Sequence, residues 1–262
     1  MPPSASGSWT RIGASLLLIA TALTGAFVTA APAQAVPIIN CSTLVGSIST
    51  DDSFNAAVAQ VNNGYCNVLD ISSGFDFDVP PTAINSVVGN YLSITGPANP
   101  ADDSTLNGRS GPGIRIIQLG APLQLDVERV TFTNFNSENP GYGQGESALQ
   151  AETSGALDAN FQDVSFTGSV GRKSGGLHLQ SNTSAAVTMT GRIHFADDST
   201  SYPPLLAGGA LTVASNGATS LTLGSVGGDD TITFSNNHRV SGSGGAVVVS
   251  GPPSSTIITV HG

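Results

Sequence analysis

The feature that most restricts this chain is a set of short apolar-x-apolar triplets recurring in fixed order. The first kind is Leu123-Gln124-Leu125, Leu157-Asp158-Ala159, Val187-Thr188-Met189, Leu221-Thr222-Leu223 and Ile258-Thr259-Val260. The second is Val130-Thr131-Phe132, Val164-Ser165-Phe166, Ile193-His194-Phe195 and Ile232-Thr233-Phe234. The third follows a pair of small residues: Leu149-Gln150-Ala151, Leu177-His178-Leu179, Leu211-Thr212-Val213 and Val247-Val248-Val249. Copies of the first kind start 34, 30, 34 and 37 residues apart. A period of two makes each triplet a short strand, its outer residues inward and its middle residue outward. Connections of unequal length, with few Asn-Gly or Asp-Gly turns, do not suit hairpins. Stacking turn upon turn instead sets each strand parallel to its copy, about 4.8 Å away. The pattern predicts an all-β chain: a parallel β-helix, three strands per coil.

Composition agrees. Only 10% of residues are charged, while Gly numbers 32. Few charges among many small and β-branched residues suit neither a helical bundle nor charge-rich disorder. The net charge is −10, and the chain's one lysine is Lys173. That balance argues against nucleic-acid or anionic-membrane partners, which require basic patches.

Residues 1–35 read as a signal peptide. Arg11 supplies a sparse positive region, Ala14 to Val28 is mostly apolar, and Ala33-Gln34-Ala35 is a small-x-small cleavage site ending at Ala35. The run is short for a membrane span, and nothing later is longer. The expectation is a secreted or cell-surface protein without a membrane span. In that setting Cys41 and Cys66, the two cysteines, form one disulfide worth roughly 3 kcal/mol.

Residues 36–66 are expected to form an N-terminal cap. Asp51-Asp52-Ser53 reads as a helix start, with Phe54, Val58 and Val61 on one face. The β-helix would fill 67–262. Its opening turn would use Leu69-Asp70-Ile71, Leu92-Ser93-Ile94 and Ile117-Gln118-Leu119, and the Pro-, Gly- and Asn-rich stretch 95–113 would be a surface loop. At the other end a fifth copy of the first triplet begins without a polar cap. This reads as a fragment of a longer solenoid; were the chain complete, self-association would cover the last coil.

The outward residues decide whether chemistry is present. The triplets give columns Asp70, Gln124, Asp158, Thr188, Thr222, Thr259; then Ser93, Thr131, Ser165, His194, Thr233; then Gln118, Gln150, His178, Thr212, Val248. Most are Thr, Ser and Gln, as solvent-facing strand positions favour. Asp70 and Asp158 would stand two coils apart, roughly 10 Å and just outside the range of an inverting carboxylate pair. Arg129, Asp163, Arg192 and Thr231 form a further column, expected to be a surface charge ladder; its functional alternative makes Asp163 a general base between two arginines. No cofactor is expected. The acidic pairs Asp102-Asp103, Asp197-Asp198 and Asp229-Asp230 are expected in solvated turns; Ca²⁺ is the one ion they could hold, without the spacing of a known loop site.

The loops at 133–146, 167–174, 196–207 and 235–243 vary most and would stack along one edge, where repeat proteins bind. Tyr142, Arg172, Lys173, Tyr202, His238 and Arg239 project there as the candidate ligand surface. The pairs of small residues before the third strand, such as Gly208-Gly209, permit a backbone approach that a Cβ would forbid. Asn236 and Asn237 follow a strand, where Asn tolerates left-handed backbone and can stack with its copies.

The later coils resemble the repeats of the polymorphic outer-membrane protein family, which pair Gly-Gly-Ala-aliphatic with Phe-x-x-Asn. Gly208-Gly209-Ala210-Leu211 and Gly244-Gly245-Ala246-Val247 match the first motif, and Phe234-Ser235-Asn236-Asn237 the second. Earlier coils depart, with Ser169 and Asp198 in the Asn position and Gly175-Gly176-Leu177 lacking the Ala. The resemblance spans roughly 120–262. It implies a right-handed β-helix, on the architecture shared with pectate lyases, in an exported and often adhesive protein. The functional expectation is a non-catalytic, adhesin-like β-helix binding host-cell or cell-wall glycans or proteins. The alternative is a polysaccharide lyase or glycoside hydrolase of the pectin-lyase-like fold, with Asp158 and Asp163 as its catalytic carboxylates.

Overall fold

The chain is seen in a computed structural model that describes residues 37–99, 104–137, 147–200, 208–239 and 245–261. The leader with Ala35, the Asp102-Asp103 pair, Tyr142 and Tyr202 lie outside these residues.

Alternation along the strands translates directly into parallel ladders. The first sheet stacks Val68–Asp70, Tyr91–Thr95, Leu123–Glu128, Leu157–Gln162, Ala185–Thr190, Thr219–Leu223 and Thr256–Val260, in chain order. The second stacks Phe75–Asp76, Thr105–Asn107, Thr131–Thr133, Ser165–Thr167, Arg192–Ala196 and Thr231–Ser235. The third contains Ile114–Gln118, Leu149–Thr153, Leu177–Ser181, Leu211–Ser215 and Val247–Ser250. Each of these pairings is parallel and joins a strand to its copy one turn away. The result is an all-β solenoid, and a single core runs through it. Among the described residues no helix is long and apolar enough to cross a membrane.

The expected three strands per coil become four where the chain allows. Val170–Gly171, Ser199–Thr200 and His238–Arg239 form a short fourth sheet. It lies in the loops expected to vary most, where two residues of each loop stack in register on the coil before. The predicted surface loop 95–113 likewise contains a strand, in which Leu106 is buried and pairs with Phe75 and Phe132.

Register corrects the triplets in two places. First-sheet strands of six residues point three side chains inward, so Leu157-Asp158-Ala159 stacks on Ala185-Ala186-Val187 rather than on Val187-Thr188-Met189. At the start, Leu69 pairs with Ile94, so Leu69-Asp70-Ile71 and Leu92-Ser93-Ile94 share one sheet instead of dividing one coil. In the third sheet Ile114 and Ile116 point inward, one residue out of step with the expected Ile117-Gln118-Leu119, and Leu119 is exposed. A one-residue shift exchanges every inward and outward side chain.

Aromatic packing differs along the core. Phe132, Phe166, Phe195 and Phe234 stack nearly parallel, with ring centroids 5.0, 5.0 and 4.9 Å apart. Near the N-terminus, Phe54 meets Phe77 edge-on at 5.3 Å. Phe54 belongs to the helix Asp51–Asn62, which buries Phe54, Ala57, Val58 and Val61. Thr50 and Ser53 bond reciprocally at its start, satisfying N–H groups that the first turn leaves free. Cys41 and Cys66 are disulfide-bonded, as expected, with Cα atoms 5.2 Å apart. The paired glycines also act as the sequence suggests: a Cβ on Gly209 would meet the carbonyls of Gly245 and His238 at 2.7 Å.

Candidate functional site

The outer face of the first sheet brings together more hydrogen-bonding chemistry than the triplets implied. Alternation puts Gln124, Asp126 and Glu128 outward on one strand, and Asp158, Asn160 and Gln162 outward on the next. Tyr91, Ser93 and Thr95 precede them, and Thr188 and Thr190 follow. A groove of about 280 Å³ crosses this face, lined by Tyr91, Ser93, Asp126, Glu128, Asn160, Gln162, Thr188 and Thr190, among others.

Asp126 is the hub. Its Oδ1 accepts from Asn160 Nδ2 at 2.9 Å, and its carboxylate accepts the Tyr91 hydroxyl. Burial, and then the Asp126 charge, raise the Tyr91 pKa above the usual phenol value. Asp158 also rises, first through burial and then through repulsion from Asp126. Asp126 stacks on Asn160, and Asp158 lies two residues earlier on that strand. One coil and two residues separate the two backbones by about 8 Å.

The expected two-coil spacing of Asp70 and Asp158 within one column does not hold. Asp70 stacks on Thr95, in the column of Glu128 and Gln162, three coils from Asp158 and four residues along the strand. Asp126, Glu128 and Asn160 were missed because a three-residue frame hides the outward positions of a six-residue strand. The continued alternation through Val127 and Phe161 is the signal that would have found them.

Asp163 lies in a second cleft of about 260 Å³, with Arg129, Arg192, Ser104, Thr131 and Ser165 in its lining. One rung of the expected charge ladder forms: Asp163 Oδ1 accepts from Arg192 N at 2.8 Å and lies 3.7 Å from Arg192 Nε. Arg129 turns instead to Glu128 and donates through Nε to the Pro97 carbonyl at 2.9 Å. Arg129 and Asp163 both hold left-handed backbone, φ 55° and 53°, which aims their side chains from a corner rather than from a flat strand. The second-sheet column is as expected for Thr131, Ser165, His194 and Thr233, but Thr105 takes the place of Ser93.

The third-sheet column differs most. Arg115 replaces Gln118 in it, and Gln150, His178 and Thr212 are buried rather than solvent-facing, at 1%, 3% and 1% exposure. The Lys173 segment crosses this face: Thr212 Oγ1 donates to the Lys173 carbonyl at 3.1 Å, and Lys173 Nζ donates to Glu152 Oε1 at 2.8 Å. Of the stacked-loop candidates, Lys173 is thereby drawn to the third sheet. His238 and Arg239 belong to the fourth sheet, paired with Ser199 and Thr200, and Arg172, adjacent to Lys173 in sequence, is half-buried.

The acidic pairs split. Asp230 accepts from Gly191 N, Ser225 N and Ser225 Oγ, and the Ser225 hydroxyl bond leads in lowering its pKa. Asp198, expected in a solvated turn, is fully buried, because its carboxylate accepts from the Ser169 N–H inside the corner. Comparison with protein-family models, with curated proteins and with solved structures finds no match for this chain.

Proposed function

We propose that this chain is the right-handed β-helix of an exported, adhesin-like protein of the secreted or surface-displayed kind, binding an extended glycan along its first sheet. The observation that carries this reading is the groove over Tyr91, Asp126, Glu128, Asn160 and Gln162. Parallel stacking repeats its donors and acceptors at about 4.8 Å per coil, and Tyr91 adds an aromatic face of the kind sugars pack against. The leader ending at Ala35, the disulfide, and the Gly-Gly-Ala and Phe-x-x-Asn motifs support export and the family resemblance. The helix Asp51–Asn62, packed through Phe54 on Phe75 and Phe77, serves as the N-terminal cap.

Attachment of the whole chain to immobilised polysaccharides tests the reading. Tyr91→Ala and Asp126→Ala are each expected to weaken saturable binding about tenfold, which is about 1.4 kcal/mol. Binding that ignores both substitutions overturns it. One observation favours a second reading, a glycoside hydrolase: burial and then the Asp126 charge push Asp158 toward its protonated form, as two carboxylates divided between acid and base require. Release of reducing ends by the wild type, abolished in Asp158→Asn and Asp126→Asn, would establish that reading in place of the first.

A further inference from the structure

The Asp163 cleft sits at the corner where the first sheet gives way to the second, and it shares no lining residue with the first-sheet groove. Register explains how it is built. Gln162 stacks on Thr190, and Ser165 stacks on His194. Two residues, Asp163 and Val164, span that interval in one coil, but three, Gly191, Arg192 and Ile193, span it in the next. Gly191 takes the left-handed turn of the longer corner, φ 71°, as Asp163 does in the shorter one. Arg192 is the residue left over. It is exposed, and its N–H and Nε face Asp163 Oδ1.

Elsewhere on the second sheet, outward polar side chains bond one another between coils. Thr167 Oγ1 donates to Thr133 Oγ1 at 3.1 Å, Asn107 Nδ2 donates to Asp76 Oδ1 at 2.8 Å, and His194 pairs with Thr233. The groups of the cleft do not. Among the described residues, the Ser104, Thr131 and Ser165 hydroxyls, Asp163 Oδ2 and the two Arg192 Nη atoms make no hydrogen bond within the chain. Thr131 and Ser165 stand in register one coil apart, about 4.8 Å. Charge here is balanced: Arg192 faces Asp163, and Arg129 is paired with Glu128. An ion of either sign therefore meets no unmatched charge. What remains is one carboxylate oxygen that accepts, two nitrogens that donate and three hydroxyls that do both. A neutral polyol carries the complementary set, since every hydroxyl of it both donates and accepts. The volume of about 260 Å³ is small for a ligand site and suits a single ring. We propose that this cleft binds one neutral hexose unit, with adjacent ring hydroxyls on Asp163 Oδ2 and the Arg192 fork and the others on Ser104, Thr131 and Ser165. The bond to Asp163 is charge-assisted and the strongest of the set.

The test is saturation-transfer NMR of D-glucose, D-galactose and D-mannose, each titrated against the whole chain. At least one is expected to bind saturably within tens of millimolar. Asp163→Asn keeps an acceptor for Arg192 N and a residue type that tolerates left-handed backbone. It is expected to weaken that sugar at least about tenfold. Arg192→Gln, at an exposed position, is expected to weaken it several-fold. Thr133→Val, on the same sheet outside the cleft, is expected to leave it unchanged, and D-glucuronate is expected to bind no more tightly than D-glucose. The proposal is overturned if no hexose saturates, if neither cleft variant weakens binding, if Thr133→Val weakens it equally, or if glucuronate binds more tightly. Loss of hexose binding in Tyr91→Ala would assign the sugar to the first-sheet groove and would overturn it too. The polysaccharide-attachment reading is judged separately, by Tyr91→Ala and Asp126→Ala on immobilised polysaccharide, so either can fail without the other.

Discussion

Three unlike residues do one job at the corner that follows the second sheet. Phe135 N donates to Ser169 Oγ at 3.3 Å, Ser169 N to Asp198 Oδ1 at 3.0 Å, and Asp198 N to Asn237 Oδ1 at 3.0 Å. Each side chain accepts the backbone N–H of its counterpart one coil earlier, so Ser169 and Asp198 replace the motif Asn without losing its function. Asn237 also donates through Nδ2 to the Phe195 carbonyl at 2.9 Å. Asp198 can donate only when protonated, and its Oδ2 has no partner among the described residues. Burial raises its pKa to about 7, with the Ser169 N–H opposing and Asp197 adding to the rise. A raised folded-state pKa means that the folded chain holds the proton more tightly. The associated stability is complete below about pH 4, declines as pH rises, and is gone once pH passes about 7. Asp198→Asn should flatten this decline and raise the denaturation midpoint at pH 8, by up to about 4 kcal/mol in equivalent stability. Urea titrations of both proteins from pH 4 to pH 8 would show it; parallel profiles would exclude the role.

At the scale of elements, stacked rings bind neighbouring coils. Phe166 lies between Phe132 and Phe195, buried and nearly parallel to both. Phe166→Ala should destabilise by about 3–5 kcal/mol through lost burial and a residual cavity, read as a shift in the urea midpoint. Thr50→Ala removes half of the reciprocal bond that opens the helix Asp51–Asn62 and should cost about 1 kcal/mol in the same assay. The second-sheet triplets were legible because a Phe closes each one, which pins the frame. The first-sheet triplets were not, since six alternating residues admit two frames that both bury apolar side chains. The slip between them hid Asp126 next to Asp158.

For the molecule as a whole, each coil is stabilised by the coils on either side. Strands of the first three sheets within Leu123–Ala196 pair on both edges, whereas Thr231–Ser235 and Thr256–Val260 pair on one edge in the described sheets. Amide exchange should therefore be slowest in the former and fastest in the latter; uniform protection would argue against coil-by-coil stability. The surplus of acids is spread over loops and outer strand faces, so added salt should stabilise the chain modestly by screening.

Periodicity alone determined the parallel coils, the inward Phe, Leu and Val ladders and the helix ahead of them, because burial acts on every copy alike and repeats the same signal. The two cysteines also identified each other, since no third competes. Tertiary structure decided what lies outside the ladders. The fourth sheet, the burial of Asp198, the extra corner residue that sets Arg192 against Asp163, and the meeting of Asp126 with Asp158 each depend on register between coils. Register is set by contacts some thirty residues apart in the chain, and one residue of slip exchanges the inner and outer faces.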